Sequence, residues 1–266
     1  MANMQDLSAR NNMVVKANEL IQKSRFSLSI QQQKIVLYLI SQIQPYDDDF
    51  KLYEFSIPEF CRVVGINSHS GELYNDLKKA VKEISDKSLW VQIGDTETLL
   101  RWIEKPYINK KSGKIQIRLD RDMKPFLLQL KKNFTQYELI WTLHFKSKYS
   151  IRLYELIKSI HYHELETYER EFPVDALRTA IGADTYPIFR DFHSRALKPA
   201  VNEINEYSDK CLSYELIKKG RKVISVRFTI STKTPLERMK IKDTVEKDLG
   251  NNQPTLWDDL CEKGMV

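Results

Sequence analysis

The segment LKKAVKEI, residues 77–84, returns 120 positions later as LKPAVNEI, residues 197–204, with six of its eight positions identical. A match that dense within one chain signals a duplicated module, and a repeat sets domain count and architecture together. Upstream, FSIPEFCRVVG and FPVDALRTAIG align at an offset of 117, which carries Phe55, Ile57, Phe60, Val64 and Gly65 onto Phe172, Val174, Leu177, Ile181 and Gly182. The same offset takes Leu39, Ile40 and Ile43 to Leu156, Ile157 and Ile160, so two elements repeat as one unit. The three-residue growth in offset falls between Gly65 and Leu77, where a turn absorbs added length at little entropic cost. The copies occupy residues 13–130 and 131–232, and residues 233–266 form a tail.

Each copy reads as three helices and a hairpin. Ser29 with Gln32 has the pattern of a capping box, and Ile30, Ile35, Val36, Leu39, Ile40 and Ile43 keep helical spacing until Pro45. An alternating stretch at 52–56 leads to Pro58, a favoured helix start, and that second helix stops at Gly65. After NSHSGE a third helix, 72–87, aligns Leu73, Leu77, Ala80, Val81 and Ile84 on one face; strands follow at 89–93, 99–109 and 114–119, the last two joined by NKKSG. The second copy repeats the order with helices at 147–161, 173–181 and 186–207, then LSYELI and KVISVRFTI about KKGR, where Gly220 supplies the turn. Two helices around a short glycine turn, closed by a hairpin, form a winged helix-turn-helix. The expected fold class is therefore α+β, two tandem winged-helix domains related by internal repeat. In such modules the third helix suits the DNA major groove and the wing suits the backbone or minor groove. Winged folds also serve as protein-interaction modules, because fold does not dictate function.

Composition narrows the options. With 42% apolar and 29% charged residues the 266-residue chain has the balance of a folded protein. Its eight glycines form neither GxGxxG nor GxxxxGK[ST], which argues against dinucleotide chemistry and phosphate-loop ATP hydrolysis. Cys61, Cys211 and Cys261 are odd in number and form no CxxC pair, so a disulfide framework and a cysteine-rich zinc site are not expected. No apolar run reaches the ~18 residues of a membrane span and residues 1–12 lack signal-peptide order, so a cytoplasmic chain without membrane contact is expected. The net charge of +6 points to an anionic partner. It is distributed as 21 basic against 16 acidic residues in 1–132, 16 against 13 in 133–234, and 5 against 7 in 235–266: two basic bodies and an acidic tail.

The order VVKANELIQKSRFSLSIQQQKIVLYLIS, FPVDALRTAIG, YPIFRDFHSRALKPAVNEINEYSD and the final hairpin resembles plasmid replication initiators of the iteron-binding, theta-replicating type, the initiator replication protein family. The resemblance covers residues 12–232, and ALKPAVNEIN, with proline inside a helix, is its most specific part. It implies a non-enzymatic protein without cofactor. Such a protein binds direct repeats at a replication origin as a monomer, helps melt the origin, recruits the host initiator and replicative helicase, and represses its own gene as a dimer on its own operator. On that reading residues 13–130 supply dimerisation and backbone contacts and 131–232 are the main sequence-specific reader; residues 233–266 lie outside the resemblance and by composition are expected to be a flexible acidic tail. The alternative is a winged-helix transcription regulator with no replication role.

The residue pattern nominates a double-stranded DNA surface. Ile188, Phe192, Ala196, Ala200 and Ile204 form an apolar stripe that leaves Arg190, Ser194, Arg195 and Lys198 on the far side as base or phosphate readers. Arginine can hydrogen-bond guanine with both arms. Pro199 is expected to kink that helix. The second wing adds Lys218, Lys219, Arg221 and Lys222. In the first copy the matching face carries Asn75, Lys78, Lys79 and Lys82, the turn Ser68, His69 and Ser70, and the wing Lys110, Lys111 and Lys114; lysine without arginine suggests phosphate holding over base reading. The plain alternative for any one of these charges is a solvated surface.

Two signals point elsewhere. His161-Tyr162-His163 is similar to the metal site of rolling-circle nickases, but such a pair needs a strand to share a face and here it closes a helical pattern, so no metal site is assigned. In the tail, Gln253, Leu256 and Trp257 have the spacing of peptides that bind the bacterial sliding clamp, a further possible partner.

Overall fold

Ser29 opens the first long helix with the reciprocal bonds its spacing predicts: its Oγ accepts from the Gln32 N–H (3.3 Å) and its own N–H donates to Gln32 Oε1 (2.9 Å). The computed structural model describes residues 12–66, 73–160 and 167–248. The first module comprises β1 (Met13–Ala17), α1 (Asn18–Lys23), β2 (Ser24–Arg25), α2 (Ile30–Ser41), β3 (Tyr53–Ser56), α3 (Ile57–Val64), α4 (Leu73–Ser85), β4 (Ser88–Ile93), β5 (Thr96–Arg101), β6 (Tyr107–Asn109), β7 (Lys114–Ile117) and α5 (Lys124–Leu127). The second comprises β8 (Phe134–Glu138), α6 (Ile140–Leu143), α7 (Lys148–Ser159), β9 (Thr167–Pro173), α8 (Val174–Ala180), α9 (residues 189–207), β10 (Lys210–Lys219) and β11 (Lys222–Thr232), followed by α10 (Pro235–Asp248).

The duplicated parts repeat the same strand order. Each wing is a hairpin with a third strand added across its second member, in the orders β3-β7-β6 and β9-β11-β10. The repeat partners Phe55 and Phe172 face Ile115 and Val226 in those ladders. Gly65 and Gly182 both end their helices at positive φ, 73° and 72°, a conformation that strains residues bearing Cβ.

Three expectations need correction. The strand expected at 99–109 is two strands in different sheets: after Arg101 the chain leaves the β4 ladder, and Ile103 already bridges to Leu119 ahead of β6. The first module therefore carries an additional hairpin, β4–β5, pairing with β2 in the order β2-β4-β5. The third helix of the second module begins at Phe189 rather than 186, so Ile188 precedes it and is 59% exposed instead of joining the apolar stripe. The tail is not uniformly flexible: Pro235–Asp248 is a helix whose Val245 is fully buried, with Lys242 paired to Glu138 and lying over the Trp141 ring.

The two modules are also joined to each other. β1 and β8, one strand from each module, pair antiparallel from Met13↔Glu138 to Ala17↔Phe134. One contiguous apolar core runs from Val14 through Ile35 and Leu77 to Phe192 and Ile230. Buried polar contacts cross the same seam: Lys16 Nζ donates to Glu155 Oε1 (2.8 Å), which also accepts from the Tyr137 hydroxyl (2.6 Å). The modules are one packed body.

Candidate nucleic-acid interface

The helix of residues 189–207 shows how the chain accommodates a proline within a surface helix. Pro199 has no N–H to give, and its ring would strike the carbonyl four residues back, at Arg195. The chain answers with a π turn, His193–Leu197, in which the Lys198 N–H reaches the His193 carbonyl five residues back. The expected kink is thus a widened turn. Phe192, Ala196, Leu197, Ala200, Val201 and Ile204 are buried, while Arg190, Ser194, Arg195 and Lys198 are all exposed, as read from the sequence. The Arg190 side chain is 88% exposed, with Asp191 3.9 Å away as its nearest acid; Arg195 and Lys198 make no ion pair among the described residues.

An aromatic column pins this helix to its wing. His193 Nε2 lies 2.8 Å from the Tyr214 hydroxyl of β10; Phe189 and Phe192 pack beside it, and Tyr214 leans on Phe228, which meets Phe172 of β9. Burial, and then the Lys198 charge, lower the His193 pKa, so at neutral pH it is an uncharged linker. Beneath α9, Glu203 accepts from the Lys146 and Ser147 N–H groups (both 3.1 Å) and the Ser150 hydroxyl (2.6 Å), tying the helix to the start of α7.

β10 and β11 project beyond the core, and Gly220 (φ 61°) and Arg221 make their two-residue turn. Lys218, Lys219, Arg221 and Lys222 are exposed there without an ion pair among the described residues. The ladder slips between Ile217↔Ser225 and Lys218↔Val223, leaving Ile224 as the extra residue of a β-bulge, 39% exposed. Ile188, just before α9, and Ile224, on the wing, are exposed apolar side chains that the sequence did not nominate for a surface. A bulge leaves no mark in an alternating stretch such as KVISV.

The first module presents the weaker counterpart. Asn75, Lys78, Lys79 and Lys82 are exposed on α4, but Lys82 bonds Asp86 one turn on (2.5 Å), which raises its pKa. On the wing Lys114 is engaged by Glu54 of β3, and Lys110 lies over the Tyr74 ring, 5.5 Å from its centroid, which joins the wing to the start of α4. Lys111 is exposed, and its N–H and that of Ser112 donate to Asn109 Oδ1. Ser68, His69 and Ser70, the His161–His163 pair and the Gln253, Leu256, Trp257 motif lie outside the described residues. Among the described residues no three His, Cys, Asp or Glu side chains group closely enough to hold a metal ion, and no helix is long and apolar enough to cross a membrane.

Two winged modules in tandem, each with an exposed basic helix beside a basic wing, match two family models. The first domain of the initiator replication proteins covers residues 13–158, and the second winged-helix domain of the same proteins covers residues 173–230. The chain belongs to the initiator replication protein family. A replication initiation protein of Escherichia coli is 25% identical over 249 residues, spanning 88% of this chain and 76% of that one. The fold is shared with the crystal structure of the Pi initiator protein in complex with iteron DNA (TM-score 0.67, 20% identity, 84% of this chain and 98% of that one). Both domains of the initiator family are thus present in order, with α10 beyond the second matched segment.

Proposed function

We propose that this initiator binds the direct repeats of a plasmid origin through both modules and acts on the DNA without catalysis. The observation that carries the reading is the outer face of α9 beside its wing: eight exposed polar or cationic side chains with, among the described residues, no ion pair closer than the 3.9 Å between Arg190 and Asp191. In the second module Arg190, Ser194, Arg195 and Lys198 read base edges and phosphates, while Lys218, Lys219, Arg221 and Lys222 hold the adjacent backbone. In the first, Asn75, Lys78, Lys79, Lys110 and Lys111 hold phosphates, joined by Ser68, His69 and Ser70 from the segment that precedes α4 in the chain, while Lys82 and Lys114, already engaged by Asp86 and Glu54, add less.

Dimerisation and autorepression belong to the same proposal. The outer face of β4–β5 pairs Trp90 with Leu99, 49% and 52% exposed, and among the described residues β5 has no strand on its other side. An apolar pair beside an open strand edge supports a second copy docking there, in a form that occupies the operator. Recruitment of the host initiator and helicase, and of the sliding clamp through Gln253, Leu256 and Trp257, completes the role.

Footprinting over an origin library across a salt series tests the reading. Evenly spaced protection over tandem repeats is the expected result. Protection of one inverted repeat alone would assign a transcription regulator, and metal-dependent nicking would overturn the non-catalytic role.

A further inference from the structure

The repeat departs from itself at one place that the fold explains. At the offset of 117 that aligns α2 with α7, Lys34 falls on Ile151 and Ile35 on Arg152, so each copy has a cation where the other has isoleucine. Both cations are buried, at 8% and 5% exposure, and both reach across the seam to the end of a helix in the other module. Lys34 Nζ donates to the carbonyl of Leu143, the last residue of α6 (2.6 Å). Arg152 Nη2 donates to the carbonyl of Ser24, which caps α1 (3.1 Å), and Nη1 lies 3.4 Å from its hydroxyl. The same guanidinium holds the carbonyl of Ala180, at the end of α8, from Nη2 and Nε (2.7 and 3.1 Å), and stacks on the Phe26 ring at 4.3 Å.

We propose that Lys34 and Arg152 are positioning residues that lock α4 and α9 at one separation and helical phase, making the protein selective for the spacing between its two DNA contact blocks. This rests on the reading of both helices as DNA-facing. Terminal helix carbonyls lack internal partners and sit at the negative end of the helix dipole, so a buried cation there is well placed. Isoleucine, which the opposite copy supplies at each position, would fill the volume without desolvating a charge. It could not hold carbonyls of two modules at a fixed distance. Arg152 is the more informative of the two, since it joins α1 of the first module directly to α8, the helix before the reader. The turn after α8 backs onto the same segment: a Cβ on Gly182 would lie 3.6 Å from the Phe26 carbonyl.

The full chain is titrated with its footprinted duplex and with duplexes carrying one to five base pairs inserted between the blocks protected by α4 and α9. Five base pairs turn the second block by about half a helical turn. For the wild type, insertion is expected to cost about 100-fold, the gain from a rigidly linked second contact. Arg152→Met is expected to bind the native duplex about tenfold more weakly and to lose most of the spread across insertions, with Lys34→Met acting in the same direction. Arg152→Lys, which keeps the charge and one donor, controls for misfolding and is expected to fall between. Unchanged spread in a folded Arg152 variant, or a wild type indifferent to spacing, overturns the proposal. Failure of the wild type to bind any duplex overturns the DNA reading beneath it.

Discussion

The two surface helices come from one repeat and have diverged in opposite directions. α4 is a regular helix whose Lys82 is engaged by an acid, beside a wing whose Lys114 is engaged as well. α9 accepts a π turn and Pro199, stands on an aromatic column reaching its own wing, and among the described residues keeps its cations clear of close ion pairs. The aromatic cluster of the first module, Tyr38, Phe55 and Phe60, lies behind α3 and does not include α4. Duplication supplied one fold twice. Divergence then gave one copy a proline-bearing helix with exposed cations, while the other received the additional hairpin and lysines engaged by acids.

The largest test removes the support under α9. Phe192 is fully buried between Phe189 and the Arg178 guanidinium, and Phe192→Ala is expected to lower unfolding free energy by about 3–5 kcal/mol. Because one core spans both modules, urea unfolding of the variant should remain a single transition that also reports on Trp90 and Trp102 of the first module. Two separated transitions would show that the copies fold independently, against the shared core.

The next test compares one buried lysine from each module. Burial pulls both Lys34 and Lys210 down to about 8; the Glu203 charge opposes the shift at Lys34, and the Lys158 charge adds to it at Lys210. Between pH 8 and 10.5 the unfolded chain binds more protons than the folded one, so stability rises with pH through that window. The penalty is present in full below pH 8 and amounts to up to about 3 kcal/mol per lysine. Tyr53, held up to about 12 by burial, and Tyr207, held up to about 12 first by its hydrogen bond to Glu206, reverse the trend above pH 10. Urea midpoints should climb from pH 8 to about 10 and then fall, with a shallower climb in Lys34→Met. A flat profile would mean that neither lysine is desolvated.

Base reading comes third. Arg190→Ala should cost about 1–3 kcal/mol on the cognate repeat and relax base choice at one position, whereas Lys79→Ala should weaken all sequences alike. Competition binding with single-base variants of the repeat separates the two. Equal relaxation by both substitutions would erase the division of labour between α4 and α9.

What was legible in the sequence follows from where each feature takes its specification. α2 carries its capping box, α3 its proline and terminal glycine, and α4 and α9 their apolar stripes, which the repeat reinforced. β1 and β8 do not: five residues each, they become strands only by pairing with one another across 121 positions. α10 is polar along most of its length, so the burial of Val245 against the second module leaves no periodic trace. The candidate cations were legible by residue type, but their neutralising partners only in part. Asp86 stands four residues from Lys82 and can be read from spacing; Glu54 is sixty residues from Lys114, and only the β3–β7 ladder brings them together.

That hidden partner gives the smallest and sharpest test of the asymmetry between wings. Lys222 and Lys114 each open the second strand of a wing, but Lys222 has no ion pair among the described residues and Lys114 is held by Glu54. A lysine that neutralises a phosphate releases condensed counterions and contributes about 0.9 to the slope of log K against log salt. Lys222→Ala should therefore lower the slope by about 0.9 over 50–200 mM salt, and Lys114→Ala by much less, since its charge is already matched within the protein. Glu54→Gln should do the reverse and steepen the slope by freeing Lys114, with no change in base preference. Anisotropy titrations of the three variants decide it: equal drops for Lys222→Ala and Lys114→Ala would mean that Lys114 leaves Glu54 for DNA, and that the two wings are equivalent after all.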